Sequence, residues 1–88
     1  MSLSVLEVVV DGNDSVDPAA LDWPAVIATE KLALASAVRQ GDWMSQGYSH
    51  LALGLAARAL GDHKRARQQV AEGTYILRAL GINLVVPG

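Results

Sequence analysis

Three glycines stand 20 residues apart, at 41, 61 and 81, and aspartate follows the first two, as Asp42 and Asp62. Each glycine comes just after an apolar periodic segment, where a left-handed C-cap needs a residue without a Cβ. Each aspartate is placed to cap the next helix and to favour its positive N-terminus. The spacing therefore predicts three long helices, about Pro24 to Gln40, Asp42 to Leu60 and Asp62 to Leu80. A period in this range marks an internal repeat.

The faces of these segments agree with that reading. In the third, Ala66, Val70, Gly73, Leu77 and Leu80 recur at three- and four-residue steps, while Lys64, Arg65, Gln68, Glu72 and Arg78 lie mainly elsewhere. The second is apolar nearly all round from Leu51 to Leu60, with Arg58 its sole charge, and such a helix sits between neighbours. The first spreads Val26, Ile27, Leu32, Leu34 and Val38 over several directions. A chain of 88 residues buries a limited share of its surface. With 51% hydrophobic and only 18% charged residues, it is expected to hide apolar surface against another chain.

The flanks read differently. Residues 3–10, "LSVLEVVV", are rich in β-branched side chains and read as a strand ended by the turn-forming "DGNDSVDP". Asp17-Pro18 has the form of an N-cap with proline in the first turn, opening a short helix at "PAAL". Pro24 is expected to hold Trp23 in extended geometry and to bend the chain there. After Gly81, "INLVV" reads as a second short strand, ended by Pro87, available to pair with the first within or between chains. The organisation expected is a strand-like arm and acidic turn over 1–22, then a three-helix domain over 23–88. The fold class is mainly α: three antiparallel helices with short strand-like segments at both termini.

Small residues fall at particular offsets within this frame: Leu53-Gly54, Ala57, Gly61-Asp62, Ala66, Val70 and Gly73. Helices whose axes approach to about 8–10 Å cannot keep large side chains at every contact. Mid-helix glycine costs roughly 1 kcal/mol against alanine, so Gly54 and Gly73 point to a compensating backbone approach. The set resembles a tetratricopeptide-type helical hairpin over residues 41–81, with Gly54 and Ala57 at the crossing, Gly61-Asp62 in the turn and Ala66 as the facing alanine. Together with Arg78, Leu80 and Gly81, it is similar to the longer repeats of bacterial signalling ATPases and transcriptional activators. Two departures stand out. Gln46 occupies the place of the facing alanine after Gly41-Asp42, and only one unit is complete, whereas such arrays stack three or more. The resemblance implies a module that binds protein or peptide in a concave groove, without catalysis of its own and without a cofactor.

Charge narrows the partners. The net charge of −2 argues against a general attraction to nucleic acid. Its distribution is uneven: Glu7, Asp11, Asp14, Asp17 and Asp22 stand in residues 1–22 without a basic residue, and Arg58, Lys64, Arg65, Arg67 and Arg78 stand against Asp62 and Glu72 in 58–88. The two ends are therefore able to attract one another, within or between chains. There is no cysteine, hence no disulfide framework and no thiolate site. No secretory signal and no apolar run of the roughly 20 residues that span a bilayer are visible, so a cytoplasmic, non-membrane protein is expected.

Several stretches admit both a sharper and a plainer reading. Asp11, Asn13, Ser15, Asp17 and Asp22 fall like ligands of a calcium loop, but Val16 stands where such a loop needs glycine, and Asx-turns with a helix cap explain the same residues. His50 and His63 lie on different helices with no third ligand in view, which predicts no zinc site. "HKRARQQ" resembles the start of a DNA-reading helix, with Lys64, Arg65 and Arg67 on phosphates, and equally a solvated helix face. Trp23 and Trp43 near helix starts are either interface anchors or lids on the core.

The function expected is a non-catalytic protein–protein interaction or assembly module that forms homo-oligomers. Arg58, Lys64, Arg65, Arg67 and Arg78 are candidates for an acidic partner segment, with Trp23, Trp43 and Tyr48 as aromatic anchors. A small DNA-binding regulator using residues 62–69 and a subunit of an oligomeric enzyme remain the alternatives.

Overall fold

The structure, a computed structural model, describes residues 21–83. Three helices make up this region: α1 (Trp23–Gln40), α2 (Trp43–Ala59) and α3 (His63–Ala79). No strand occurs among the described residues. The strand-like arm of residues 3–10, the Asp17-Pro18 cap and the final 84–86 lie outside them. Leu21, the last residue of "PAAL", forms a bend, and Ile82 and Asn83, the start of "INLVV", are not in a strand.

All three helices start in the same way. The side chains of Asp22, Asp42 and Asp62 accept hydrogen bonds from the backbone N–H of Ala25, Ser45 and Arg65, at 3.2, 3.1 and 3.2 Å. Each satisfies one amide that the first turn leaves without an intrahelical partner. The Asp22 cap corrects the reading of "DWP". Trp23 is the first residue of α1 rather than an extended link, and Pro24 follows within the first turn, where the missing N–H is no loss.

They also end alike. Gly41, Gly61 and Gly81 have φ of 67°, 83° and 81°, the left-handed region that side chains disfavour. At each, the glycine N–H donates to the third carbonyl back, and the following N–H donates to the fifth: Asp42 to Ala37, Asp62 to Ala57, Ile82 to Leu77, at 2.8–2.9 Å. This pair of backbone hydrogen bonds is a Schellman motif. Asp42 and Asp62 thus close one helix through the backbone and open the next through the side chain, so two turns of a few residues suffice.

Helix α2 lies between α1 and α3. Its near-continuous burial follows: Leu51, Ala52, Leu53, Gly54, Ala56 and Ala57 are all buried. On one side the core joins Trp23 to Ala52 and Ala56, with Leu21, Val26 and Ile27 packed around them. On the other, Gly47 meets Leu77 and Gly73, while Gly54 meets Val70 and Ala66. Contacts between α2 and α3 therefore run in opposite order along the two helices. Gln46, out of place for a facing alanine, is buried, and its amide reaches the Ala37 carbonyl at 3.5 Å. Among the described residues no buried side-chain polar atom lacks a partner.

Candidate interaction surface

The α2–α3 crossing is built from missing side chains. A Cβ at Gly54 would stand 2.7 Å from Val70 Cγ2 and 3.2 Å from the Ala66 carbonyl. A Cβ at Gly73 would stand 2.7 Å from the Gly47 carbonyl oxygen and 3.0 Å from Leu51 Cγ. Both lie inside van der Waals contact, so the two backbones approach as closely as glycine permits. Leu53, Ala57 and Ala66 are buried around this line and Val70 is half-buried. Gly61 and Asp62 form the turn between the helices. The structure also accounts for Gly47, which no sequence motif explained: it faces Gly73 and Leu77 across the crossing.

A single polar pair spans the same interface. His50 Nδ1 and Gln69 Oε1 stand 2.7 Å apart, part-buried. The amide oxygen only accepts, so in this bond Nδ1 carries a proton and donates. His63, one residue past the Asp62 cap, is exposed. Among the described residues no group of three or more His, Cys, Asp or Glu side chains is placed to hold a metal ion.

Between α1 and α2, Glu30 is partly buried. Burial pushes its carboxyl above the ordinary value of 4.5, and a hydrogen bond with Ser49 works against that rise. At the head of α2, Asp42 behaves in the opposite way. The Ser45 hydroxyl, 2.6 Å away, and the Ser45 N–H hold its carboxyl below 3.8.

The surface itself is marked by apolar side chains in water. Leu32, Val38, Trp43, Met44, Leu60, Tyr75 and Leu80 are all exposed, Leu32 and Tyr75 to 75% and 73%. Some of them converge. Trp43 at the start of α2 and Tyr75, Ile76, Ala79 and Leu80 at the end of α3 line an apolar groove of about 310 Å³. Beside it, Ala71, Thr74, Tyr75, Arg78 and Ala79 line an open depression of about 620 Å³. Tyr75 belongs to both.

The predicted anchors divide accordingly. Trp43 is exposed and lines the groove. Trp23 is buried, its ring set among Ala52 and Ala56, so its place is in the core rather than on a binding face. Tyr48 is half-buried. Lys64, Arg65, Arg67 and Arg78 are exposed, as is Arg58. Arg65 forms a loose 3.7 Å ion pair with Asp62, both side chains more than half in water. The structure brings Arg78 to the groove region and leaves Lys64, Arg65 and Arg67 at the far end of α3. Sequence reasoning missed Tyr75 and Leu32. Tyr75 lies between Gly73 and Leu77 of the inward stripe, a placement that turns it outward at 100° per residue.

Among the described residues no helix is long and apolar enough to cross a membrane. No family model, curated protein or solved structure matches the chain.

Proposed function

We propose that this protein is a non-catalytic protein–protein interaction or assembly module that associates with itself. The observation that carries the reading is the groove between Trp43 and the end of α3, where five apolar side chains meet. Large apolar residues converging on one exposed site mark an interaction surface rather than ordinary surface scatter. Tryptophan and tyrosine are the residues that most often anchor such contacts.

The pair α2–α3 is read as an antiparallel hairpin of tetratricopeptide type. The support for this is the approach of Gly54 to Ala66 and Val70, the contact such a hairpin needs where its helices cross. On this reading the groove continues the helical stack, and the basic residues Lys64, Arg65 and Arg67 receive an acidic partner segment at the other end of α3.

Light scattering behind size exclusion over a wide concentration range tests the proposal. A dimer or larger assembly is expected, dissociating in the double variant Trp43→Ala, Tyr75→Ala. A monomer at every concentration would sink self-association. Capture of random duplex DNA with a steep loss on added salt would instead favour the regulator that reads DNA through residues 62–69.

A further inference from the structure

The packing fixes which parts of the chain share an end of the helical body. Trp23 packs with Ala56, and Gly54 with Ala66, so the start of α1, the end of α2 and the start of α3 lie together. Ala37 meets Gln46, and Gly47 meets Leu77, at the opposite end.

Charge is divided along the same line. All seven Lys and Arg residues and five of the nine acidic ones fall within 21–83, whereas residues 1–20 carry Glu7, Asp11, Asp14 and Asp17 and no base. The acidic stretch enters the helical body at Leu21, beside the end that presents Lys64, Arg65 and Arg67. These three cations are exposed, and the Arg65–Asp62 ion pair is long and solvated. Asp17 is four residues from Leu21, a reach of up to roughly 14 Å for extended chain, and Asp14 and Asp11 follow at three-residue steps. The acids are thus carried on a tether that is anchored at the same end of the helical body as the cations. A tether of this kind raises the local concentration of a weak ligand to about the millimolar range.

We infer that the exposed basic start of α3, Lys64, Arg65 and Arg67, is the docking surface for the chain's own acidic segment, residues 11–17. This names the acidic partner of the binding role proposed above for these cations. It rests on that role and is independent of the Trp43 groove at the opposite end.

The test uses the full-length chain. It has no cysteine, so Ser15→Cys carries a single nitroxide label, and its paramagnetic broadening is read at the backbone amides. In dilute salt the amides of residues 64–67 are expected to broaden while those of Gly41 and Trp43 stay sharp. The broadening is expected to vanish near 1 M salt, where screening shortens to about 3 Å. Reversal of Lys64, Arg65 and Arg67 to glutamate is expected to abolish it. Adding Asp11→Lys, Asp14→Lys and Asp17→Lys to that reversal is expected to restore it, which excludes simple unfolding as the cause.

Three outcomes would overturn the inference. The amides of 64–67 stay sharp in dilute salt, or their broadening ignores salt, or it arises between labelled and unlabelled chains in a mixed sample. The last would make a second copy the occupant. Light scattering reads the groove separately, so failure there leaves this result legible.

Discussion

Trp23 and Trp43 stand 20 residues apart, each the first residue of its helix behind an aspartate cap, yet Trp23 is 8% exposed and Trp43 58%. The difference lies in the helix that each ring meets. Trp23 rests on Ala52 and Ala56 of α2, which leave room for an indole against the backbone. Twenty residues on in the sequence, α3 carries Glu72 and Ile76 in place of those alanines, and Trp43 lines a groove with Ile76. One repeated position thus serves the core in one copy and the surface in the next.

Trp23→Ala is accordingly expected to cost about 3–5 kcal/mol, the range for removing a large buried aromatic side chain. Trp43→Ala is expected to stay within about 0.5 kcal/mol of the parent, as surface changes do. Urea denaturation of parent and variants, at a protein concentration low enough to leave every chain monomeric, checks the contrast, and equal losses would refute it.

Gly73→Ala is expected to destabilise by about 1–3 kcal/mol through overpacking. This runs against helix propensity, which favours alanine over glycine by roughly 1 kcal/mol. The opposing contact is backbone, the Gly47 carbonyl 2.7 Å from the new Cβ, and backbone has nowhere to turn. Gly54→Leu and Ala66→Leu are expected to fall in the same range. Thermal melts matching the parent would mean that the helices do not cross this closely.

The His50–Gln69 bond ties α2 to α3 and is open to a double-mutant cycle. His50→Ala and Gln69→Ala are expected to couple by about 0.5–1.5 kcal/mol, the net worth of one hydrogen bond. A coupling indistinguishable from zero would remove the bond from the account of the interface.

Stability should respond to acid through two carboxyls of opposite sign. Asp42, held below 3.8, contributes stability that is present above 3.8 and is lost as the pH falls through its lowered value. Glu30, raised above 4.5, binds its proton more readily folded than unfolded. Its contribution is complete below 4.5 and is lost as the pH rises through its raised value. Glu30→Gln is therefore expected to flatten the decline above pH 4.5 and leave the acid limb intact. A pH series of urea midpoints for parent and variant reads this directly.

What was legible beforehand follows from how local each signal is. Gly41-Asp42 and Gly61-Asp62 announce their turns because a positive φ and a side-chain cap are decided within four residues. Gly54 and Ala66 announce the crossing because small residues have few other reasons to recur there. Trp23 reads as extended because Pro24 restricts its predecessor, but the Asp22 cap overrides that local preference and makes α1 begin one residue earlier. Leu32 and Tyr75 could not be sorted from core residues by type. Their exposure depends on which side of α1 and α3 has a neighbour, and that is a property of the whole arrangement.

The glycine contact between α2 and α3 also has a mechanical side. Where Gly47 and Gly73 meet, main chain lies against main chain, and there is no side chain between them to change rotamer and absorb displacement. The joint between α1 and α2 is different, made of an indole on alanines and a long glutamine amide, both of which have torsions to yield. A load or a bound partner would then tilt α1 while α2 and α3 travel as one stiff plate, and the compliance of the molecule would be concentrated at a single seam.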